Sequence, residues 1–256
     1  MRRTIILIII FLVGLGSSFL LGEGEEDNPI RLFIKAKTSY SLSNYDEAIK
    51  AYEQILSKCL ESGNLYYNLG NAYFKKGQLG RAILNYKRAR FLIPRDSDLM
   101  ANYHFALSLV KQNFSQVNKG LVNKIIDGYG QKLTLDEMCI IILLLYVGLI
   151  IIIILSFYFT KLKKYIIFIT PVFVLLILLN IMTLLSAVKQ IERAAVIIEK
   201  EVDSKFEPFD SATTYFRLFE GAEVFVLEEK SEWCKIERAD GKIGWISRSA
   251  LEKIYP

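Results

Sequence analysis

The chain has 256 residues, 52% of them hydrophobic, a formal net charge of +5 and three cysteines. The whole net charge traces to Arg2, Arg3, Lys161, Lys163 and Lys164: residues 23–137 hold 16 Lys or Arg against 13 acids, and residues 189–256 hold 11 against 14, so no basic face is set aside for nucleic acid. Cys59, Cys139 and Cys234 fall in three different regions with no Cys-x-x-Cys pair, which excludes a disulfide scaffold; a Cys59–Cys234 bond would have to link separate domains, and both residues read as small apolar fillers.

Residues 1–22 begin Met1-Arg2-Arg3 and the chain then carries no charge until Glu23. A basic start, an apolar run over 5–13 and small residues at Gly14, Gly16, Ser17 and Ser18 predict an export signal. No small-x-small cleavage site is visible, so an uncleaved N-terminal anchor is the alternative. The segment has no cysteine, which argues against a lipoprotein, and its Arg pair serves as an ordinary basic flank.

Residues 63–96 carry a helix-turn-helix pattern with a period of 34. Tyr66, Leu69, Gly70 and Tyr73 fall at i, i+3, i+4 and i+7, on one helical face. Gly77 breaks that helix, Ala82, Tyr86 and Ala89 line a second, and Pro94 ends it. Gly70 and Ala82 are small because the two helices approach closely where they cross. A shift of 34 positions toward the N-terminus gives a weaker copy over 29–62, in which Ala36, Ala48 and Tyr52 correspond to Gly70, Ala82 and Tyr86. Lys35 and Ser39 depart from the apolar pattern, as an end repeat with one solvated side does. The opposite shift sets Asn102-Tyr103 against Asn68-Leu69 and predicts a capping helix over 97–112, with a linker over 113–137.

The pattern resembles the tetratricopeptide repeat, whose consensus runs Trp-x2-Leu-Gly-x2-Tyr, then Ala-x3-Phe, then Pro, with Tyr66 in the Trp place and Tyr86 in the Phe place. Two repeats and a capping helix fall short of the roughly three units that stability generally asks for. The stack is therefore expected to lean on its membrane helices, another copy or a partner. Repeats of this kind cradle peptides on the surface of their first helices. The resemblance implies a partner-binding surface of Tyr67, Asn68, Asn71, Phe74, Lys75 and Asn102, where an asparagine amide can both donate to and accept from a peptide backbone. Solvated surface for Asn71 or Asn102, and packing on the next repeat for Phe74, are the competing roles. The spaced Lys, Asn and Arg that grip a C-terminal carboxylate are missing from the first repeat.

Residues 138–160 and 165–188 form stretches of 23 and 24 residues without a charge, separated only by Lys161, Leu162, Lys163 and Lys164. At about 1.5 Å per residue each crosses a hydrocarbon core of about 30 Å. They predict two transmembrane helices joined by a basic turn over 161–164, with Pro171 near the start of the second, where a helix tolerates it best. Short basic segments stay on the cytoplasmic side. The N-terminus and the turn then lie inside, and both soluble regions lie outside the cytoplasmic membrane.

After Glu192 the hydrophobic period changes from 3.6 to 2. Residues 195–198, 223–227, 233–238 and 242–247 are short, rich in β-branched and aromatic residues, and separated by turns at Glu220-Gly221 and Asp240-Gly241. About 60 residues of closely spaced strands predict a small closed barrel over 194–254. Glu232-Trp233-Cys234-Lys235-Ile236, then Asp240-Gly241-Lys242-Ile243-Gly244-Trp245-Ile246, resembles a bacterial SH3 domain, and 247–251 resembles its short helical turn. Phe206-Glu207-Pro208-Phe209 stands where such domains often have a Gly-Pro loop. The family implies cell-wall peptides as ligands, with Trp245 and Tyr215 as an aromatic ledge, although a strand Trp that follows a Gly is expected in the core.

No enzyme is expected. His104, the only histidine, lies in a helix without a Cys or paired carboxylate at ligand spacing, and reads as a surface or packing residue rather than a metal ligand. There is no Gly-x-Ser-x-Gly elbow and no Gly-x4-Gly-Lys-Ser/Thr phosphate loop, so no cofactor is called for. The fold class is a multidomain membrane protein: an α-helical tetratricopeptide-repeat region, a two-helix transmembrane hairpin and a C-terminal all-β SH3-like barrel. This order is similar to the BatE-type proteins of bacterial aerotolerance operons. The resemblance implies an envelope scaffold in the bacterial cytoplasmic (inner) membrane, facing the periplasm or exterior, whose partners are membrane proteins with von Willebrand factor A domains served by a MoxR-type AAA+ ATPase. A cell-wall adaptor, with the barrel on peptidoglycan stem peptides and the repeats recruiting wall enzymes, is the competing expectation. A third is a barrel that binds intramolecularly and covers the incomplete repeat stack.

Overall fold

The computed structural model describes residues 28–111, 128, 132–159 and 163–255. The expected export segment, most of the expected linker and the start of the basic turn lie outside the described residues. The chain divides into two compact units, Met1–Glu61 and Ser62–Pro256.

In the first unit α1 (Pro29–Ser41) and α2 (Tyr45–Leu56) form an antiparallel pair. Asn28 caps α1 by accepting a hydrogen bond from the Ile30 amide at 2.9 Å, with Pro29 in the first turn, where its missing N–H costs nothing. Ala36, Ala48 and Tyr52 are fully buried where the helices cross, and the Phe33 ring meets Tyr52 edge-on at 5.8 Å. Lys35 is exposed as expected, but Ser39 is buried and its hydroxyl donates to Glu47 at 3.4 Å. A buried hydroxyl needs a partner, and α2 supplies one.

The second unit opens with α3 (Gly63–Lys75) and α4 (Leu79–Leu92), capped and broken as the pattern requires. Ser62 accepts from the Leu65 amide at 3.1 Å, and Gly77 turns the chain at φ +79°. A Cβ at Gly70 would stand 2.7 Å from the Tyr86 ring, the close crossing its size predicts. Next comes α5 (Ser97–Ser108), capped by Asp96 through the Leu99 amide at 2.8 Å and packed on α4. It ends four residues short of the expected 112.

Two apolar helices follow, α6 (Leu135–Tyr158, 24 residues) and α7 (Lys163–Arg193, 31 residues), packed against each other with Gly148 facing Phe173. Both are long and apolar enough to cross a bilayer. Thr134 and Glu137 close a reciprocal capping box at the start of α6. The second helix begins earlier and ends later than its charge-free stretch. Lys163 and Lys164 join it, so Pro171 sits in the helix interior rather than near its start. At the other end Lys189-Gln190-Ile191-Glu192-Arg193 continue the helix, and Ala194 begins β1 with no intervening coil.

The barrel is an antiparallel seven-stranded sheet: β1 (Ala194–Ile197), β2 (Glu201–Lys205), β3 (Thr214–Phe219), β4 (Glu223–Lys230), β5 (Trp233–Arg238), β6 (Ile243–Ser247) and β7 (Leu251–Lys253), ordered β3-β2-β6-β5-β4-β1-β7. A 3-10 turn over Arg248–Ala250 precedes β7. Period-2 alternation sends Ala195, Ile197, Phe216, Leu218, Val224, Val226, Cys234, Ile236 and Ile246 inward. Trp245 is not in this core. Its neighbours Gly244 and Ile246 point in, so the pleat points the indole out, and it is half-buried on the outer face. Of the two cysteines expected as fillers, Cys234 is buried but Cys59 is exposed in a turn residue at φ 58°; both thiols are free.

At the mouth of the β5–β6 turn, Arg238 is buried with its guanidinium 4.5 Å over the Phe216 ring, and it forks onto both oxygens of Asp240 at 2.8 and 2.5 Å. Those bonds push the Asp240 carboxyl down to about 2. A depressed carboxylate pKa contributes stability above its ordinary value that is lost as pH falls through the folded-state value. Asp240→Asn should therefore lower the melting temperature of the barrel at pH 7, and the gap from wild type should close between about pH 4 and pH 2. Both tryptophans lie in the barrel, so thermal melts followed by their fluorescence across that range check this.

Candidate functional site

Period 3.6 on α3 turns Tyr66, Leu69 and Tyr73 into the core and leaves the opposite face to Tyr67, Asn68, Asn71, Phe74 and Lys75. The structure joins three of these to α5. Asn102 Nδ2 donates to the Tyr67 hydroxyl at 2.9 Å and to Asn71 Oδ1 at 3.0 Å, and Asn71 Oδ1 also accepts from the buried Tyr86 hydroxyl at 2.8 Å. The Phe74 ring lies 5.8 Å from the Phe105 ring. Asn68 is half-buried and Lys75 exposed, and neither belongs to this network. The result is a ledge with an amide cluster at one end and aromatic rings at the other. Phe105 is 57% exposed and Leu109 49% exposed, so its apolar end is open. Sequence reasoning named neither residue. The 34-residue shift that took Asn68 to Asn102 also takes Asn71 to Phe105 and Lys75 to Leu109, and would have found both.

The other side of α4 and α5 is covered by the barrel. Glu223, the first residue of β4, receives Lys87 of α4 on one carboxylate oxygen and the Tyr103 hydroxyl of α5 on the other. Burial alone would push this carboxyl up; the Lys87 ammonium and the two hydrogen bonds outweigh it and hold the group below the usual carboxylate range. Burial and the adjacent carboxylate push the Tyr103 phenol well up, so it stays a donor. Arg88 donates to the Ile254 carbonyl at 2.7 Å, the Lys253 carbonyl at 2.9 Å and Glu252 at 3.0 Å. Glu220 accepts from the Gly80 amide at 2.9 Å at the start of α4.

Two glycines make this contact close. A Cβ on Gly80 would overlap the Ile197 carbonyl, and one on Gly221, at φ +84°, would stand 2.7 Å from Ile83 and 2.9 Å from Val110. The intramolecular cover expected as one of three outcomes is therefore formed between the second repeat and the barrel. Lys87 and Arg88 looked like ordinary solvated charges in the sequence, and only the fold sets them opposite Glu223 and Glu252.

Away from α4 the barrel shows a second surface. Trp245 shares the outward face with Lys205 and Lys235, its cross-strand partners, and Lys235 lies 5.8 Å over its ring. Lys205 lies 5.7 Å over Trp233, and Lys242 5.8 Å over Tyr215. Tyr215 stacks on Phe206 at 4.4 Å rather than joining Trp245 in one ledge. His104 is exposed on α5 beside Tyr103.

A family model described as a TPR repeat matches residues 36–77, and one described as a bacterial SH3 domain matches residues 208–252. The first match runs from α1 into the turn after α3, and the second from the β2–β3 loop into β7. The chain is a protein–protein interaction scaffold. No curated protein matches it.

Lys87→Ala leaves the Glu223 carboxylate partly buried without its ammonium. It should destabilise the unit by about 2 kcal/mol, and Lys87→Ala combined with Glu223→Gln should recover part of that loss. Denaturant melts of the full chain in detergent, run as a double-mutant cycle, measure it.

Proposed function

We propose that the chain is a membrane-anchored scaffold of a BatE-type system, holding an extracytoplasmic segment of a membrane protein with a von Willebrand factor A domain on the ledge of α3 and α5. The apolar hairpin spans the bacterial cytoplasmic membrane with its basic turn inside, and a MoxR-type ATPase serves the same assembly from the cytoplasm. No catalytic step is assigned to the chain. The observation that carries this reading is the open ledge. The barrel covers α4 and the Tyr103 side of α5, while Asn68, Phe74, Phe105 and Leu109 stay accessible on the other side. Amides beside rings suit an extended peptide, offering backbone hydrogen bonds next to an apolar side-chain seat.

Asn71 is a poor place to test this, because Asn71→Ala strips the buried Tyr86 hydroxyl of its acceptor. Asn68→Ala with Phe105→Ala leaves the Asn71–Tyr86–Asn102 cluster in place. That pair should lower recovery of a von Willebrand factor A domain partner in pull-downs at least tenfold, with the barrel's fluorescence melt unchanged; full recovery would refute the ledge as the capture surface. Protease added to intact spheroplasts should digest both soluble regions, and protection of either one would refute the topology.

A cell-wall adaptor is the second reading, favoured by Trp233 and Trp245 standing outward under Lys205 and Lys235. On this reading the full chain in detergent is retained by isolated peptidoglycan, and Trp233→Ala with Trp245→Ala abolishes the retention.

A further inference from the structure

α5 has the position and phase of the first helix of a third repeat: Asn102 stands 34 residues after Asn68, and the helix packs on α4. Such a helix normally packs against its own second helix as well. Here the neighbouring place along α4 and α5 is taken by the turn between β3 and β4. Tyr103 donates to Glu223, Val110 and Ile83 close on Gly221, and Lys111 lies 5.7 Å over the Phe219 ring. Glu223 uses one oxygen for α4, through Lys87, and one for α5, through Tyr103, so it fixes the two helices against each other.

Tyr103 and Asn102 are consecutive, about 100° apart around the helix. The pull of Glu223 on one therefore sets the direction of the other. Asn102 reaches Tyr67 and Asn71 at 2.9 and 3.0 Å, distances that a rotation of α5 by a fraction of a turn would break. Phe105 is carried on the same helix and meets Phe74.

We propose that the barrel serves as the missing second helix of the third repeat, with Glu223 as a positioning residue that sets the rotation of α5 and so places Asn102 and Phe105 on the ledge. The use of that placement for capture rests on the scaffold reading above; the placement itself does not. Docking of the barrel and capture on the ledge are then linked, each strengthening the other.

The test uses the full chain in nanodiscs, without partner. Amide hydrogen exchange over 97–108 should rise about tenfold in Glu223→Ala, while β5 and β6 keep wild-type protection. p-Fluorophenylalanine installed at Phe105 should give a shifted or split fluorine resonance in the same variant, because its ring leaves Phe74. Glu223→Gln still accepts from Tyr103 and should restore the wild-type resonance, which a general loss of stability would not predict. Lys87→Met with Tyr103→Phe tests the same link from the repeat side with the barrel sequence intact, and decides the matter if Glu223→Ala also unprotects β5 and β6. Wild-type exchange over 97–108 together with an unmoved fluorine resonance in that double variant overturns the proposal. Because no partner is present, this outcome is independent of whether the ledge captures anything.

Discussion

One carboxylate organises the second unit. Glu223 stands at the start of a strand, at the edge of a barrel, and against two helices, so it is the point at which β and α layers are held to each other. An isolated carboxylate in that position would be costly to bury; with an ammonium on one oxygen and a phenol on the other, it remains charged and becomes specific. The surrounding contacts join the same two layers. Gly80 and Gly221 permit the backbones to meet, and Arg88 reaches three acceptors on the final strand and the residue after it. Replacing these polar links by apolar ones would keep the area buried but lose the register between helix and strand.

This arrangement answers a problem of repeat architecture. A helical pair buries one face only by stacking, and an array that stops after two pairs leaves its last helix half covered. The usual remedy is another helix with a polar back. Here an entire β domain is brought round, across a long apolar hairpin, to do the covering, and the helix it covers keeps its far side for the ledge. One helix thus works on two sides, Tyr103 held by the barrel and Asn102 with Phe105 set against α3.

Much of this was legible in the residues. Helix pairs, their crossing point at Gly70, the apolar hairpin and the barrel all follow from periodicity, because burial repeats at 3.6 in one part and at 2 in the other. Four strands could be read from β-branched runs. β2 and β3 could not, since Glu201, Asp203 and Arg217 interrupt the apolar pattern with cross-strand ion pairs of the exposed sheet edge. Trp245 differs for a related reason: a large apolar residue beside a glycine suggests burial, whereas the pleat gives the core to Ile246 and leaves the indole outward under Lys235. The docking of barrel on repeat was illegible because it joins residues as much as 166 positions apart through ordinary-looking charges. The ledge was half read. Tyr67, Asn71 and Asn102 follow from the repeat consensus, whereas the apolar side chains of Phe105 and Leu109 emerge only when the 34-residue period is carried on from Asn71 and Lys75.

α7 passes into β1 without a single residue of slack, and β1 pairs with both β4 and β7 in the middle of the part of the sheet that meets the repeats. Set in a bilayer, such a helix is an axle keyed to its wheel: tilt or twist in the lipid cannot be absorbed by a hinge and must turn the barrel, the clamped helices and the ledge together. Changes in membrane thickness alter helix tilt, so in a bilayer the orientation of the barrel and of α4 and α5 would follow that of α7.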